Sequence, residues 1–433
     1  MRKRQYQPLA LTAVAALTFI GSCVYPTYND EETAVVEEQM SVWQYLKIYS
    51  IYHERLPKAP GSLKPSDMFD LIHDTLHGVR YTDYIYDGSG GGGDDSDTEF
   101  YLPKEFTRST VYFYLPEFSE AALELFNISL PMLSRYRNII IDVRYNPGGY
   151  LKVTDSIMSD LLPYGTQYIK KRGRNYNDRK FVGETVEEIS RTAQSPRLRN
   201  KKLVVLMNGY SASASEILIA GLKDGAGARL VGSKSYGKGI GQVIIPKGDR
   251  RQRLKITNLE ISGLTERTGQ YHRVGIEPDT VPKQIKSDVD AHVPNARQLQ
   301  EIQDEIDDEI EEILAEDPTV SDSVISEIRE QIRRQITKDL REVYYALKIL
   351  QPELTFVEDD EDGEDGDDAD KDNGAAGGTG KRRSVIAGMD AKSVVEAVKT
   401  INSARTKAKT KWRPMGAVVI DEKDLPNIEL PDD

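Results

Sequence analysis

Residues 208–242 read NGYSASASEILIAGLKDGAGARLVGSKSYGKGIGQ. The apolar run at 203–208 (LVVLMN) reads as a buried strand that leads straight into it, and the residues from Ala214 to Lys223 carry a helical pattern. Ser211, Ser213 and Ser215 therefore sit at a strand-to-helix turn, with Gly237-Lys238-Gly239 on a tight loop downstream. Working outward, 110–115 (TVYFYL), 138–144 (NIIIDVR), 228–233, 242–246 and 253–262 read as strands. Stretches 119–134 and 152–162 read as helices, and Asn146-Pro147-Gly148-Gly149 breaks the chain between strand and helix. Strands and helices in this alternation predict an α/β layered core.

The flanks have a different character. Residues 1–22 have the form of an export signal: Arg2, Lys3 and Arg4 precede an apolar run at 8–20 that is short for a membrane span. Ile20-Gly21-Ser22-Cys23 resembles a bacterial lipobox, which makes Cys23 the lipidated residue of a membrane-anchored lipoprotein. An ordinary signal peptide with an incidental cysteine is the alternative. Val24 stands where an inner-membrane retention signal carries Asp, so the resemblance favours the outer membrane of a bacterial cell envelope. Residues 23–40 read as a polar tether, and 41–109 as a helical region ending in the glycine- and acid-rich loop 87–97. The α/β core is expected over 110–292. A charged helical extension follows at 293–356, then an acidic, glycine-rich disordered linker at 357–383 and an appendage at 384–433 with one short helix.

Across 433 residues, 70 acidic side chains against 57 basic ones leave a net charge of −13, which argues against nucleic acid as the main partner. Cys23 is the only cysteine, which excludes an intrachain disulfide and a thiolate metal cage.

A serine hydroxyl needs a base to become a nucleophile. Of the five histidines, His53, His73 and His77 fall in the N-terminal region and His292 at the exit of the core, while His272 has no recognisable acidic partner in the sequence. A lysine serves instead if burial brings it from about 10.4 to roughly 7 or 8, at a cost of about 4 kcal/mol. Lys238, between two glycines and beside Tyr236 and Ile240, is placed for that.

Four motifs in order, Asn146-Pro147-Gly148-Gly149, Ser211-Ala212-Ser213-Ala214-Ser215-Glu216, Tyr236-Gly237-Lys238-Gly239 and Gly275-Ile276-Glu277-Pro278-Asp279, resemble the carboxy-terminal processing proteases, the tail-specific serine proteases. The resemblance implies a crotonase- and Clp-protease-like α/β core, Ser213 as nucleophile, Lys238 as base, Gln242 assisting it, and Asp224 at the family's acidic position. Helix geometry suits Asp224 to a structural or lysine-orienting role rather than to proton transfer. Ala214, at the start of its helix, and Gly148 or Gly149 would supply oxyanion-hole amides. Ser211 and Ser215 read as packing or capping residues. Polypeptides are the implied substrates, and no metal or organic cofactor is implied.

Most members of that family place a PDZ domain before the first catalytic strand. Tyr86 to Thr110 is too short for a full small domain, so the PDZ domain is expected to be absent, leaving substrate recruitment or homo-oligomer assembly to the terminal helices. The rival readings are a non-proteolytic binding protein on the same fold and a scaffold lipoprotein.

Overall fold

A computed structural model describes residues 30–86, 98, 100–177, 182–246, 252–280, 307, 310, 311, 314, 315, 321–352, 356–359, 383–386, 391–411 and 417–419. The export signal, Cys23, the loop 87–97 and most of the acidic linker lie outside the described residues, apart from Val357, Glu358, Asp359 and Arg383.

Helix α1 (Asp30–Tyr49) begins inside the stretch expected to be a tether. Helix α2 (Pro65–Ile72) starts on Pro65, where a missing amide costs nothing. The short pair β1 (Thr75–Leu76) and β2 (Val79–Arg80) follows, then β3 (Asp83–Tyr86), β4 (Lys104–Thr107), β5 (Thr110–Tyr114), α3 (Glu120–Arg135), β6 (Asn138–Asp142) and α4 (Leu151–Leu161). A long hairpin, β7 (Gln167–Asn177) and β8 (Val182–Arg191), precedes β9 (Lys202–Met207), α5 (Ala214–Ala226), β10 (Arg229–Gly232), β11 (Ile240–Pro246) and β12 (Gln252–Ser262). The described C-terminal elements are α6 (Asp322–Leu350), β13 (Phe356–Asp359), β14 (Arg383–Ile386), α7 (Ala391–Lys411) and β15 (Ala417–Val419).

The strands form two main sheets. The first runs β10-β9-β6-β5-β4 and is parallel except at its β4 edge. Its strands are buried on both faces, which is why 110–115, 138–144 and 203–208 are near-continuous apolar runs. Alternate side chains serve different layers. Val111, Phe113, Ile139, Ile141, Leu203 and Val205 pack with α3, α4 and α5, while Tyr112, Tyr114, Ile140, Val204 and Leu206 face α6 and α7. The expectation of an α/β core flanked by helical regions is met. The C-terminal extension is nevertheless more than a charged segment, because it is the second helical layer of the first sheet. Ile332, Ile336, Leu340, Val343, Leu347 and Leu350 form its buried stripe at helical spacing.

The second sheet runs β15-β11-β12-β7-β8, with β3 also paired to β12. Helices α1 and α2 cover it through Val42, Leu46, Met68, Phe69 and Ile72, against Val243, Ile245, Leu254 and Ile256. Helix α5 lies between the two sheets, and every residue from Ala214 to Leu222 is buried. The C-terminal appendage docks as well: β15 adds to β11 in parallel, with Ala417 opposite Gln242. The two ends of the expected disordered linker, β13 and β14, pair with each other.

Candidate active site

Strand β9 delivers the chain to Asn208, and the loop to α5 is fixed by its own serines. Ser211 Oγ donates to the Val143 carbonyl at 2.7 Å, and Ser215 Oγ donates to the Asn146 carbonyl at 3.0 Å. Both hydroxyls are thus spent on backbone, as capping and packing serines. Ser213, between them, has φ 57° and ψ −115°, a left-handed conformation that costs a non-glycine residue about 1–3 kcal/mol. It sits at the N-terminus of α5, where the first amides have no intrahelical acceptor; Ala214 supplies the first of them.

The group that holds this strained turn is Glu216, which the reading of the sequence did not single out. Its side chain is fully buried and accepts four hydrogen bonds. Oε2 takes the Ser213 amide at 3.0 Å and the Lys238 amide at 2.7 Å, while Oε1 takes the Gly237 amide at 2.7 Å and the Ser235 hydroxyl at 2.6 Å. One carboxylate oxygen therefore joins the main chain of Ser213 to that of Lys238. Burial raises the Glu216 carboxyl to about 7, against four donors that each favour the ionised form. Ser213-x-x-Glu216 is a capping-box spacing at a helix start, and that was the signal available in the sequence.

Lys238 is 1% exposed. Burial drives its ammonium down to about 7; the Lys255 ammonium adds to that shift and Glu216 opposes it. The wall around it comes from the N-terminal region. Tyr81 packs with Leu76, Ile240 and Tyr236, and its ring lies 5.3 Å from Lys238 Nζ and 5.8 Å from Lys255 Nζ. His77 Nε2 bonds the Tyr236 carbonyl at 3.0 Å, tying the β1–β2 turn to the lysine loop. Gln242 is buried at a bulge in β11, and its Nε2 has no hydrogen-bond partner among the described residues.

Of the two glycines on the 146–149 turn, Gly148 packs against the serine and Gly149 against Phe118. Gly148 has φ 103°, and a Cβ there would stand 2.7 Å from Ser213 Cβ; Gly149 has φ 145°, and a Cβ there would stand 2.3 Å from the Phe118 carbonyl oxygen. No other residue fits either place. The Gly148 amide donates to Asn146 Oδ1 at 2.8 Å, and the Asn146 carbonyl accepts from the Ala212 amide at 3.0 Å, so the turn and the serine loop are bonded to each other.

Asp224 lies away from this cluster. Its carboxylate takes the Leu264 amide and the hydroxyls of Thr265 and Thr268, fixing the loop after β12. That loop leads to Arg273, whose amide donates to the Gly237 carbonyl at 2.8 Å. No helix among the described residues is long and apolar enough to cross a membrane.

Fold and site together define a class: an α/β protein whose strand-to-helix turn presents a buried serine bonded, through one carboxylate, to a buried lysine. Residues 109–281 match Peptidase family S41. The chain is 33% identical over 181 residues to the carboxy-terminal processing protease CtpB of Bacillus subtilis, covering 41% of this chain and 34% of that protein. It is 32% identical over 169 residues to the carboxy-terminal-processing protease of Bartonella bacilliformis, covering 38% and 35%. With the Synechocystis carboxyl-terminal-processing protease it shares 31% over 182 residues, covering 41% and 39%. The chain thus spans little more than a third of the length of these relatives. Among solved structures, the photosystem II D1 C-terminal processing protease aligns at 22% identity with a TM-score of 0.32, covering 40% of this chain and 42% of that one. A lipoprotein from Streptococcus agalactiae aligns at 14% identity with a TM-score of 0.40, covering 60% and 94%.

Proposed function

We propose that the chain is a serine endopeptidase that hydrolyses peptide bonds in exported polypeptides with Ser213 as nucleophile and Lys238 as general base. The observation that carries this reading is the Glu216 carboxylate, which joins the main chains of a strained, buried serine and of a fully buried lysine brought down to about 7. At neutral pH a large share of Lys238 is then unprotonated. Its Nζ takes the Ser213 Oγ proton as Oγ attacks the scissile carbonyl carbon, and returns it to the leaving amine as the C–N bond breaks. A water molecule then attacks the acyl-serine, with the same lysine accepting its proton, and releases the second product.

The developing oxyanion falls to amides at the start of α5 and on the 146–149 turn. Ala214, at the helix N-terminus, is aided by the helix dipole. Of the two glycines, Gly149 is the readier donor, since the Gly148 amide already serves Asn146 Oδ1. The unpartnered Gln242 Nε2 is available to the substrate or to the neutral lysine amine. Cys23 is read as the lipid attachment point that holds this domain at the bacterial envelope, outside the cytoplasm.

The test is cleavage of an unstructured polypeptide by the purified chain beside Ser213→Ala and Lys238→Ala variants. Both substitutions are expected to abolish cleavage. Equal cleavage by wild type and Ser213→Ala, or none by any of the three, would sink the reading. Palmitate labelling in a bacterial host is expected to disappear in Cys23→Ala; its survival would remove the anchor.

A further inference from the structure

The buried charge cluster on the far face of the catalytic sheet has no part in the chemistry above, yet it touches the segment that leads into the glycine turn. Arg144 is fully buried. Its Nε and NH2 donate to Asp142, at 3.1 and 2.7 Å, and its main-chain amide donates to Asp142 Oδ1 at 3.0 Å. Its NH1 donates to Asp339 Oδ1 and to Glu342 Oε2, each at 2.9 Å. The Tyr112 hydroxyl donates to Asp142 Oδ2, the oxygen that also accepts from Arg144 NH2, at 2.8 Å. Asp339 and Glu342 belong to α6, outside the 109–281 family region, and both are at most 3% exposed in the middle of its apolar stripe.

Such a cluster is a poor device for stability. Burying one cation and three carboxylates costs desolvation that apolar side chains of the same volume avoid, and buried ionic groups are best rationalised where they fix one geometry among several. The geometry at stake is next to it in the chain. Val143 accepts the Ser211 hydroxyl, Tyr145 donates its amide to Asn208 Oδ1 at 3.1 Å, and Asn146 accepts both the Ala212 amide and the Ser215 hydroxyl. Asn146 Nδ2 also donates to the Leu115 carbonyl at 2.7 Å, and the Gly148 carbonyl accepts the Phe118 amide at 2.8 Å. Val143, Tyr145 and Asn146 are thus tied to the serine loop, while Arg144, between Val143 and Tyr145 in the chain, is tied to α6.

We propose that Asp339 and Glu342 are positioning residues of the peptidase: through Arg144 they set the 146–149 turn against Ser213, so that α6 is a working part of the oxyanion hole. The proposal rests on the serine peptidase reading. Displacing an oxyanion donor by about 1 Å costs roughly a hundredfold in rate, so a small rotation of Arg144 is enough to be felt.

The experiment uses the full chain with Asp339→Ala/Glu342→Ala, and with Arg144→Met/Asp339→Leu/Glu342→Leu, in which apolar side chains refill the space. Each variant is assayed at a temperature where circular dichroism shows it folded. In both, kcat is expected to fall at least tenfold while KM stays within about twofold. Affinity for a peptide-boronate transition-state analogue should fall with kcat, whereas affinity for a product peptide should not. In 15N-glycine-labelled protein the Gly148 and Gly149 amide resonances should move. Unchanged kcat in the folded triple variant, kcat loss that only tracks the unfolded fraction, or unmoved glycine amides would overturn the proposal. Those resonances report on the turn whatever the chemistry, so if Ser213→Ala keeps full activity the peptidase reading fails separately from this one.

Discussion

Two fully buried cations sit on opposite sides of the same domain and receive opposite treatment. Arg144 meets three carboxylates, whose attraction raises its guanidinium further even though burial works against it. Lys238 is driven down to about 7 because burial is the largest influence on it and another lysine the second. Burial is common to both; the sign of the neighbours decides whether the cation is a fixed strut or a proton acceptor. The chemical types follow. A guanidinium cannot be deprotonated and offers a planar set of donors, whereas an ammonium on a flexible stem gives up its proton when desolvated.

Exchanging the types should produce the largest effect. Lys238→Arg places a permanently charged group where a neutral amine is required, and kcat is expected to fall by about a thousandfold or more, as for loss of a general base. Active-site titration and steady-state kinetics on a polypeptide substrate read this directly. Activity within tenfold of wild type would mean that Lys238 is not the base. Removing the strut comes next. Arg144→Met alone leaves Asp142, Asp339 and Glu342 facing one another in the core, which costs about 3–5 kcal/mol of stability. Thermal unfolding should show a drop in Tm of roughly 10 °C. A drop within about 2 °C would mean that the three carboxyls find other partners.

The two environments also differ in how far the sequence discloses them. Lys238 and Ser213 lie in short local motifs, Gly-Lys-Gly and a serine run after an apolar strand, so loop chemistry and strand pattern point to them without tertiary knowledge. Glu216 was equally local and was missed because its role, accepting amides from two loops, depends on the lysine loop folding over the start of α5. The partners of Arg144 could not be read at all: Asp339 and Glu342 are 195 and 198 residues away, on a helix legible only as part of a charged extension. The same holds for Tyr81 and Lys255, which meet Lys238 only because β2, β3 and β12 converge on the lysine loop. The β7–β8 hairpin escaped for another reason. Its outer faces are charged, as in Lys170, Lys171, Arg172, Glu187 and Glu188, and the apolar alternation that marks a half-buried strand is too sparse to register. The α/β layering, by contrast, rests on two-faced apolar strands such as 138–144 and 203–208, which stand out in the sequence.

Removing the second lysine sharpens the contrast by moving Lys238 toward ordinary behaviour. Lys238 is faced by Glu216 from α5, Lys255 from β12, Tyr236 from its own loop and Tyr81 from the N-terminal region. Lys255 is itself lowered by burial, with Asp74 and Asp83 opposing. With Lys238 as the base of the proposed mechanism, its neutral form is the active one and kcat/KM should rise with pH through about 7 in the wild type. Lys255→Met takes away one repelling charge, so the ammonium form of Lys238 is stabilised and the rising limb moves up. The displacement should be smaller than the one burial produces, since burial is the larger of the two influences that lower Lys238. An unmoved limb would leave burial alone as the cause.

The smallest effect tests the acidic side of the comparison. Burial raises the Glu342 carboxyl to about 7, with Asp339 adding to the rise and Arg144 and Lys338 opposing it. A carboxyl whose folded value lies above its unfolded value near 4.3 binds a proton more tightly in the folded state. That contribution is fully present below the unfolded value and fades as pH rises through about 7, the reverse of the usual surface carboxylate. Glu342→Gln keeps the shape and carries no titratable proton, so its Tm should fall less than that of the wild type between pH 4.5 and 7.5. The two curves should diverge by a few degrees at most, because Arg144 restrains the shift. Parallel curves would mean that Glu342 binds no extra proton in the folded state and holds Arg144 as a full ion pair.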